Sequence, residues 1–135
     1  VSEGWDVLKF LDTRHLPYGS FQPIIPSVKE HTFGWMCLHG AELGEWTGIQ
    51  MEIDWAKVKE ADLGELELVI RLHHTQGPLV YQATETCHEK GTLFVDYEIQ
   101  AEQAGDATYY FSFVSRTNSA VVHGPIVIRG YIEQS

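Results

Sequence analysis

Cysteine is scarce in this sequence, with Cys37 and Cys87 the only two in 135 residues. That excludes a disulfide-dense scaffold and leaves two free thiols or one Cys37–Cys87 bridge as alternatives. Basic residues are few as well. Nine Lys and Arg face nineteen Asp and Glu, a net charge of −10, so no phosphate-tracking surface and no nucleic-acid partner are expected. The same acidity opposes anionic lipid. No apolar run reaches membrane-spanning length and no basic-then-apolar stretch opens the chain, so no membrane insertion is expected. Val1 in place of Met points to a processed product or a piece of a longer protein. Phosphate-cradling glycine loops, internal repeats and low-complexity tracts are missing. A Gly-x-Ser-x-Gly elbow is missing too, because Tyr18-Gly19-Ser20-Phe21 lacks the second glycine. Neither cysteine sits in a protease or oxidoreductase context, so the expectation is a protein that is not an enzyme and carries no cofactor.

What is present is a period of two. Hydrophobic residues make up 44% and charged residues 21%, a balance for a folded domain. The length fits one domain spanning 1–135 that buries roughly two thirds of its unfolded area. In Gly91–Gly105, Leu93, Val95, Tyr97, Ile99 and Ala101 alternate with Phe94, Asp96, Glu98, Gln100 and Glu102. The bracketing glycines and the following aromatic run, Tyr109–Val114, imply a long antiparallel hairpin. Ile49, Met51, Ile53 and Trp55 alternate with Gln50, Glu52 and Asp54; Leu66, Leu68, Ile70 and Leu72 alternate with charged residues; Ile126, Ile128 and Ile132 oppose Val127, Arg129, Tyr131 and Glu133. Thr32–His39 sets Phe33, Trp35, Cys37 and His39 on one side, both sides largely apolar, as in a central strand.

Around these runs the connections are marked by turn chemistry. Val1–Leu11, with Trp5, fits a short strand or a helical turn. Pro17, Pro23 and Pro26 exclude an interior strand, and Ile24 and Ile25 are expected to pin that segment to the core. Gly40–Gly48 is a glycine-rich loop holding Trp46. Asp54 is placed as the cap of a short helix through Ala61. About eight strands with turn signals roughly every ten residues and at most one short helix define an all-β chain, an antiparallel two-sheet β-sandwich of jelly-roll type. A closed barrel is the alternative.

Candidate chemistry lies in rings and polar neighbours. Rigid aromatics beside polar groups stack on sugars or fill protein pockets at low entropic cost. Trp46, flanked by Glu45, is the leading ligand-binding candidate, with Tyr81 and Tyr110, and Tyr131, assigned to outward faces and Arg71 and His73 as hydrogen-bond donors. Trp35 and Trp55 are assigned to the core. Seven histidines raise a zinc set of Cys37, His39, Cys87 and His88, although adjacent strand residues point opposite ways. Glu42, Glu45 and Asp54 raise a calcium set without calcium-loop spacing. No metal site is assigned from either.

From about Glu65 to Gln134, the strand LELVIRL, the arm GTLFVDYEIQAEQAG, the return GDATYYFSFVSRTNSA and the closing PIVIRGYIEQ resemble the sandwich domains at the C-termini of bacteriophage tail fibres and other virion surface proteins. GTLFVDYEIQ is also similar to a strand of small plant-virus capsid domains, whose basic arm is absent here. The resemblance implies a non-catalytic, oligomeric surface module, with a trimer favoured, that attaches to a host receptor, and it assigns no individual residue. The expected partner is therefore a host-surface receptor or glycan met by a homo-oligomer at a virion surface or extracellular location, with Phe94, Val114 and Val127 covered between subunits. A carbohydrate-binding module of a secreted enzyme is the alternative, and a small β-fold enzyme the third.

Overall fold

A computed structural model describes residues 7–134. Of the Val1–Leu11 stretch, residues 1–6, Trp5 among them, lie outside the described residues, and the part from Leu8 onward enters a strand. Among the described residues there are nine strands and no helix: β1 (Leu8–Leu16), β2 (His31–Ala41), β3 (Trp46–Lys57), β4 (Gly64–Leu72), β5 (Leu79–Cys87), β6 (Lys90–Gln100), β7 (Gly105–Val114), β8 (Ala120–Val121) and β9 (Ile126–Glu133). They form two antiparallel sheets. One has the order β1-β9-β3-β6 with β8 on β3; the other has the order β2-β7-β4-β5. The pairs nest outward from the β4–β5 hairpin, through β3 with β6 and β2 with β7, to β1 with β9. That nesting is the jelly-roll arrangement of a β-sandwich.

Alternation decides which side chains enter the core. Ile49, Met51, Ile53 and Trp55 of β3, Leu66, Leu68 and Ile70 of β4, Phe111 and Phe113 of β7, and Ile126, Ile128 and Ile132 of β9 are all buried. The two inner faces meet closely at Gly130 of β9. A Cβ there would lie 2.3 Å from Met36 Sδ and 2.7 Å from Leu38 Cδ2, so β2 seats Met36 and Leu38 on bare backbone across the core.

Several expectations change. Lys90–Gln100 and Gly105–Val114 are not a hairpin, because β6 pairs with β3 in one sheet and β7 pairs with β2 and β4 in the other. The connection between them is tied instead to the β2–β3 loop, where Gly44 N–H donates to Ala101 O and Ala101 N–H donates to Glu45 O, both at 2.8 Å. The helix from Asp54 is replaced by the end of β3: Asp54 and Lys57 N–H donate to Pro125 O and Glu89 O, and burial of Trp55 outweighs a weak helical preference. Ile24 bridges Val122 and packs on the core, whereas Ile25 is exposed.

β2 is an edge strand, not a central one. Its pairing with β7 shifts between Thr32 and Gly34, a bulge that adds one residue. Phe33 stacks on Phe113 inside, with ring centroids 4.1 Å apart, while Trp35 is thrown to the outer face and is 51% exposed. The core assignment of Trp35 is thus reversed; that of Trp55 holds at 3% exposure. Cys37 and Cys87 are free. They occupy the two opposite edges of the four-stranded sheet, three strand spacings or roughly 14 Å apart across the sheet alone, and opposite ends of its strands, beyond disulfide reach.

Phe111→Ala is expected to lower stability by roughly 3–5 kcal/mol, whereas Phe94→Ser, on an exposed outer position, is expected to change it by about 0.5 kcal/mol or less. Urea unfolding followed by tryptophan fluorescence distinguishes the two. Equal losses would contradict the inward and outward assignment of β7 and β6.

Candidate functional site

The outer face of the four-stranded sheet carries a group of polar and aromatic side chains with matched register. Trp35 of β2 stands opposite Tyr110 of β7, and Tyr110 opposite Arg71 of β4. The next row is Thr32, Ser112, Val69 and Gln82. Thr32 and Ser112 share a hydroxyl–hydroxyl hydrogen bond at 2.9 Å. Period two places all of these on one surface because Met36, Phe111 and Ile70 take the inward positions beside them.

Arg71 shapes one end of this face. Its Nε and Nη2 donate to Glu30 Oε2 and Oε1 at 2.9 and 2.6 Å, and its Nη1 donates to Gly77 O at 2.9 Å. The fork therefore ties the approach to β2 and the β4–β5 turn to the sheet. A groove of about 460 Å³ lies there, lined by Glu30, Thr32, Arg71, Thr75 and Gln76. The hydrogen bond from Arg71, assisted by its charge and opposed by burial, holds the Glu30 carboxyl below its usual range. At the next row, buried Glu67 pairs with Arg116 at 3.1 Å and accepts from the Gln82 amide. At the other end, the Arg14 guanidinium lies 5.5 Å from the Trp35 ring centroid and donates to Trp35 O at 2.6 Å, a cation–π contact that orients the indole.

The six residues expected to bind ligand do not converge. Arg71 and Tyr110 stand side by side on this face. Tyr81 turns inward and meets Tyr97 edge-on at 5.9 Å, which corrects its outward assignment. His73, at φ 78°, sits at the β4–β5 turn and borders a 280 Å³ cleft between the sheets with Tyr97 and Tyr109. Burial, with Tyr109 adding to it, pushes the Tyr97 phenol up to about 12. Trp46 opens β3 on the other sheet and is 44% exposed. Glu45 beside it is 1% exposed, ion-paired with Lys9 at 2.8 Å and accepting from Glu42 N–H. Tyr131 points outward but is buried: its ring lies on Gly48, where a Cβ would approach to 2.3 Å, and its hydroxyl donates to Glu98 at 2.6 Å.

The calcium set does not assemble, since Glu45 and Asp54 are nine residues apart on or beside one extended strand, roughly 30 Å, and Asp54 instead accepts from Thr92. Neither do Cys87 and His88 approach Cys37 and His39 across the sheet. Trp35, Glu30 and Thr32 are members of the face that alternation alone did not reveal. The signal for Trp35 was Gly34 beside it, a residue that often marks a strand irregularity.

No protein-family model matches this chain, and no curated protein matches its sequence. Among solved structures it is similar to dimeric latent PorU from Porphyromonas gingivalis, at 9% identity and TM-score 0.40, over 97% of this chain and 13% of that one. It is similar to a CBM4 carbohydrate-binding module at 12% identity and TM-score 0.43, over 90% of this chain and 78% of that one. The VP2 subviral particle of infectious bursal disease virus is similar at 9% identity and TM-score 0.40, over 97% of this chain and 39% of that one. The assignment to the β-sandwich class rests on the strand order itself.

The Glu30–Arg71 pair carries a pH dependence of defined sign. The folded carboxyl lies below its unfolded value, so its contribution is present above the ordinary Glu range near about 4.3 and is lost as pH falls through the folded value. The stability gap between the parent and Glu30→Gln is expected to shrink over that acid range in chemical unfolding at stepped pH. Parallel curves would mean that the pair is not held in solution.

Proposed function

We propose that the protein is a non-catalytic recognition module whose outer four-stranded face binds a neutral, polyhydroxylated ligand, a glycan of a receptor or polysaccharide. The observation that carries this is the row of Trp35, Tyr110 and Arg71 beside the Thr32–Ser112 hydroxyl pair and the Glu30 groove. An exposed indole supplies an apolar plate for the C–H face of a sugar ring, and flanking hydroxyls, amides and a carboxylate meet its hydroxyls. The carboxylates of the face, Glu30 and Glu67, are each committed to an arginine, which favours binding over acid–base chemistry. Display at a virion surface or in an extracellular enzyme assembly suits such a module.

A second reading, a particle-surface domain that assembles with copies of itself, is favoured by the opposite sheet. Phe94 is 63% exposed and borders a 410 Å³ groove with Val127, Glu52 and Arg129. Val114, the other apolar outer position, is already covered within the chain at 3% exposure.

On a glycan array, the parent is expected to bind and Trp35→Ala to bind about thirtyfold more weakly or worse, the loss entailed by removing a central aromatic anchor. Trp46→Ala, on the other sheet, is expected to leave binding intact. A parent that binds no glycan, or equal binding after Trp35→Ala, would overturn the glycan reading. A trimer by light scattering that Phe94→Ser turns into monomers would support the assembly reading.

A further inference from the structure

We propose that Cys37, His39 and Asp106 form a binding site for a divalent transition metal, with zinc the ion whose preferences they fit. The site is separate from the glycan reading and does not rest on it. Among the described residues these are the one group of three potential ligands whose donor atoms lie within 4.8 Å of one another. Cys37 and His39 share the outer side of β2 because one residue separates them on an extended strand. Asp106 comes from the start of β7, which pairs with β2.

The spacing is that of a metal's coordination shell. A tetrahedral zinc with Zn–S about 2.3 Å and Zn–N or Zn–O about 2.0–2.1 Å holds sulfur and nitrogen roughly 3.6 Å apart and nitrogen and oxygen roughly 3.3 Å apart. In the protein, Cys37 Sγ lies 3.6 Å from His39 Nδ1, and His39 Nδ1 lies 3.2 Å from Asp106 Oδ2. Two of the three separations match that shell, and the third, Cys37 to Asp106, lies within 4.8 Å, so one ion would draw the Cys37 and Asp106 side chains together by about 1 Å or less.

The surroundings hold the donors in place. Gly40 N–H donates to Asp106 Oδ1 at 2.8 Å, leaving Oδ2 for the metal, and an outer hydrogen bond of this kind orients a ligating carboxylate. Gly40 adopts φ 84°, the left-handed conformation open to glycine, where the β2–β7 register shifts between Leu38 and Ala41. The Phe10 ring meets the His39 imidazole edge-on at 5.7 Å. On binding, the Cys37 thiol gives up its proton to solvent, and thiolate plus carboxylate balance the charge of the divalent ion. Three protein ligands leave a fourth position for water on the surface that also carries Trp35.

Titration of the metal-free chain with Zn²⁺ by calorimetry, and with Co²⁺ by absorbance, tests the site. The expected results are one ion per chain, a thiolate-to-cobalt charge-transfer band, and at least tenfold slower alkylation of Cys37 in the folded protein when zinc is present. Cys37→Ser, His39→Ala and Asp106→Asn are each expected to weaken zinc binding tenfold or more, while His88→Ala leaves it unchanged. Absence of the charge-transfer band, unchanged Cys37 alkylation with zinc, or affinity indifferent to all three substitutions would overturn the proposal. The alkylation measurement uses the unsubstituted protein, so it decides the matter even where a substitution impairs folding.

Discussion

The seat of Met36 and Leu38 on Gly130 fixes the side of β2 that faces the core. Among the described residues β2 pairs only with β7, so this contact across the sandwich does more to set its orientation than it would for a strand held on both sides. Because side chains alternate, Met36 and Leu38 inside require Trp35, Cys37 and His39 outside. A slip of one residue would bury the imidazole and the thiol and expose a thioether. The aromatic plate and the Cys–His pair are thus two products of one packing contact, and the missing side chain at Gly130 is what admits it.

The polar face is built from committed charges. Arg71 joins Glu30 to the β4–β5 turn, Arg116 caps Glu67, and Arg14 bridges the edges of the two sheets by reaching from β1 to the carbonyl and ring of Trp35. In a chain of net charge −10, three of the few arginines are spent on ordering this surface and its border. A bidentate fork holds loop and strand in one geometry at lower entropic loss than a lysine would. The result is a surface whose shape is set by its own ion pairs and hydrogen bonds, the preorganisation that lowers the ordering cost of binding on the proposed reading.

Most of the strand content was legible in the sequence, because β3, β4 and β9 carry the period of two and bury nearly all of the predicted set, with Leu72 at the end of β4 only partly buried. Partnership was less so. The rhythm of Leu93, Val95 and Tyr97 states that one side is inward but not which strand lies alongside, so a crossover between sheets was indistinguishable from a hairpin. The bulge at Phe33–Gly34 hid Trp35 for a related reason: one extra residue restarts the alternation, and Phe33 and Trp35 part company. Arg71 and Tyr110 were recognisable by their polar, outward positions. Ser112 shares the side of Tyr110 two residues away on β7, whereas Glu30 and Thr32 come from a distant part of the chain and become neighbours only through the nested pairing.

That nesting also governs how the chain must be made. β9 is the last strand in order, yet it lies between β1 and β3 in the interior of its sheet. Until it emerges from the ribosome, β1 has no strand to pair with and β3 presents a bare hydrogen-bonding edge flanked by Ile49, Met51 and Ile53. Such an edge invites pairing with a second nascent chain. Closure between strands so far apart in sequence is slow, so β9 acts as a keystone, and both edges it will cover stay open until it docks.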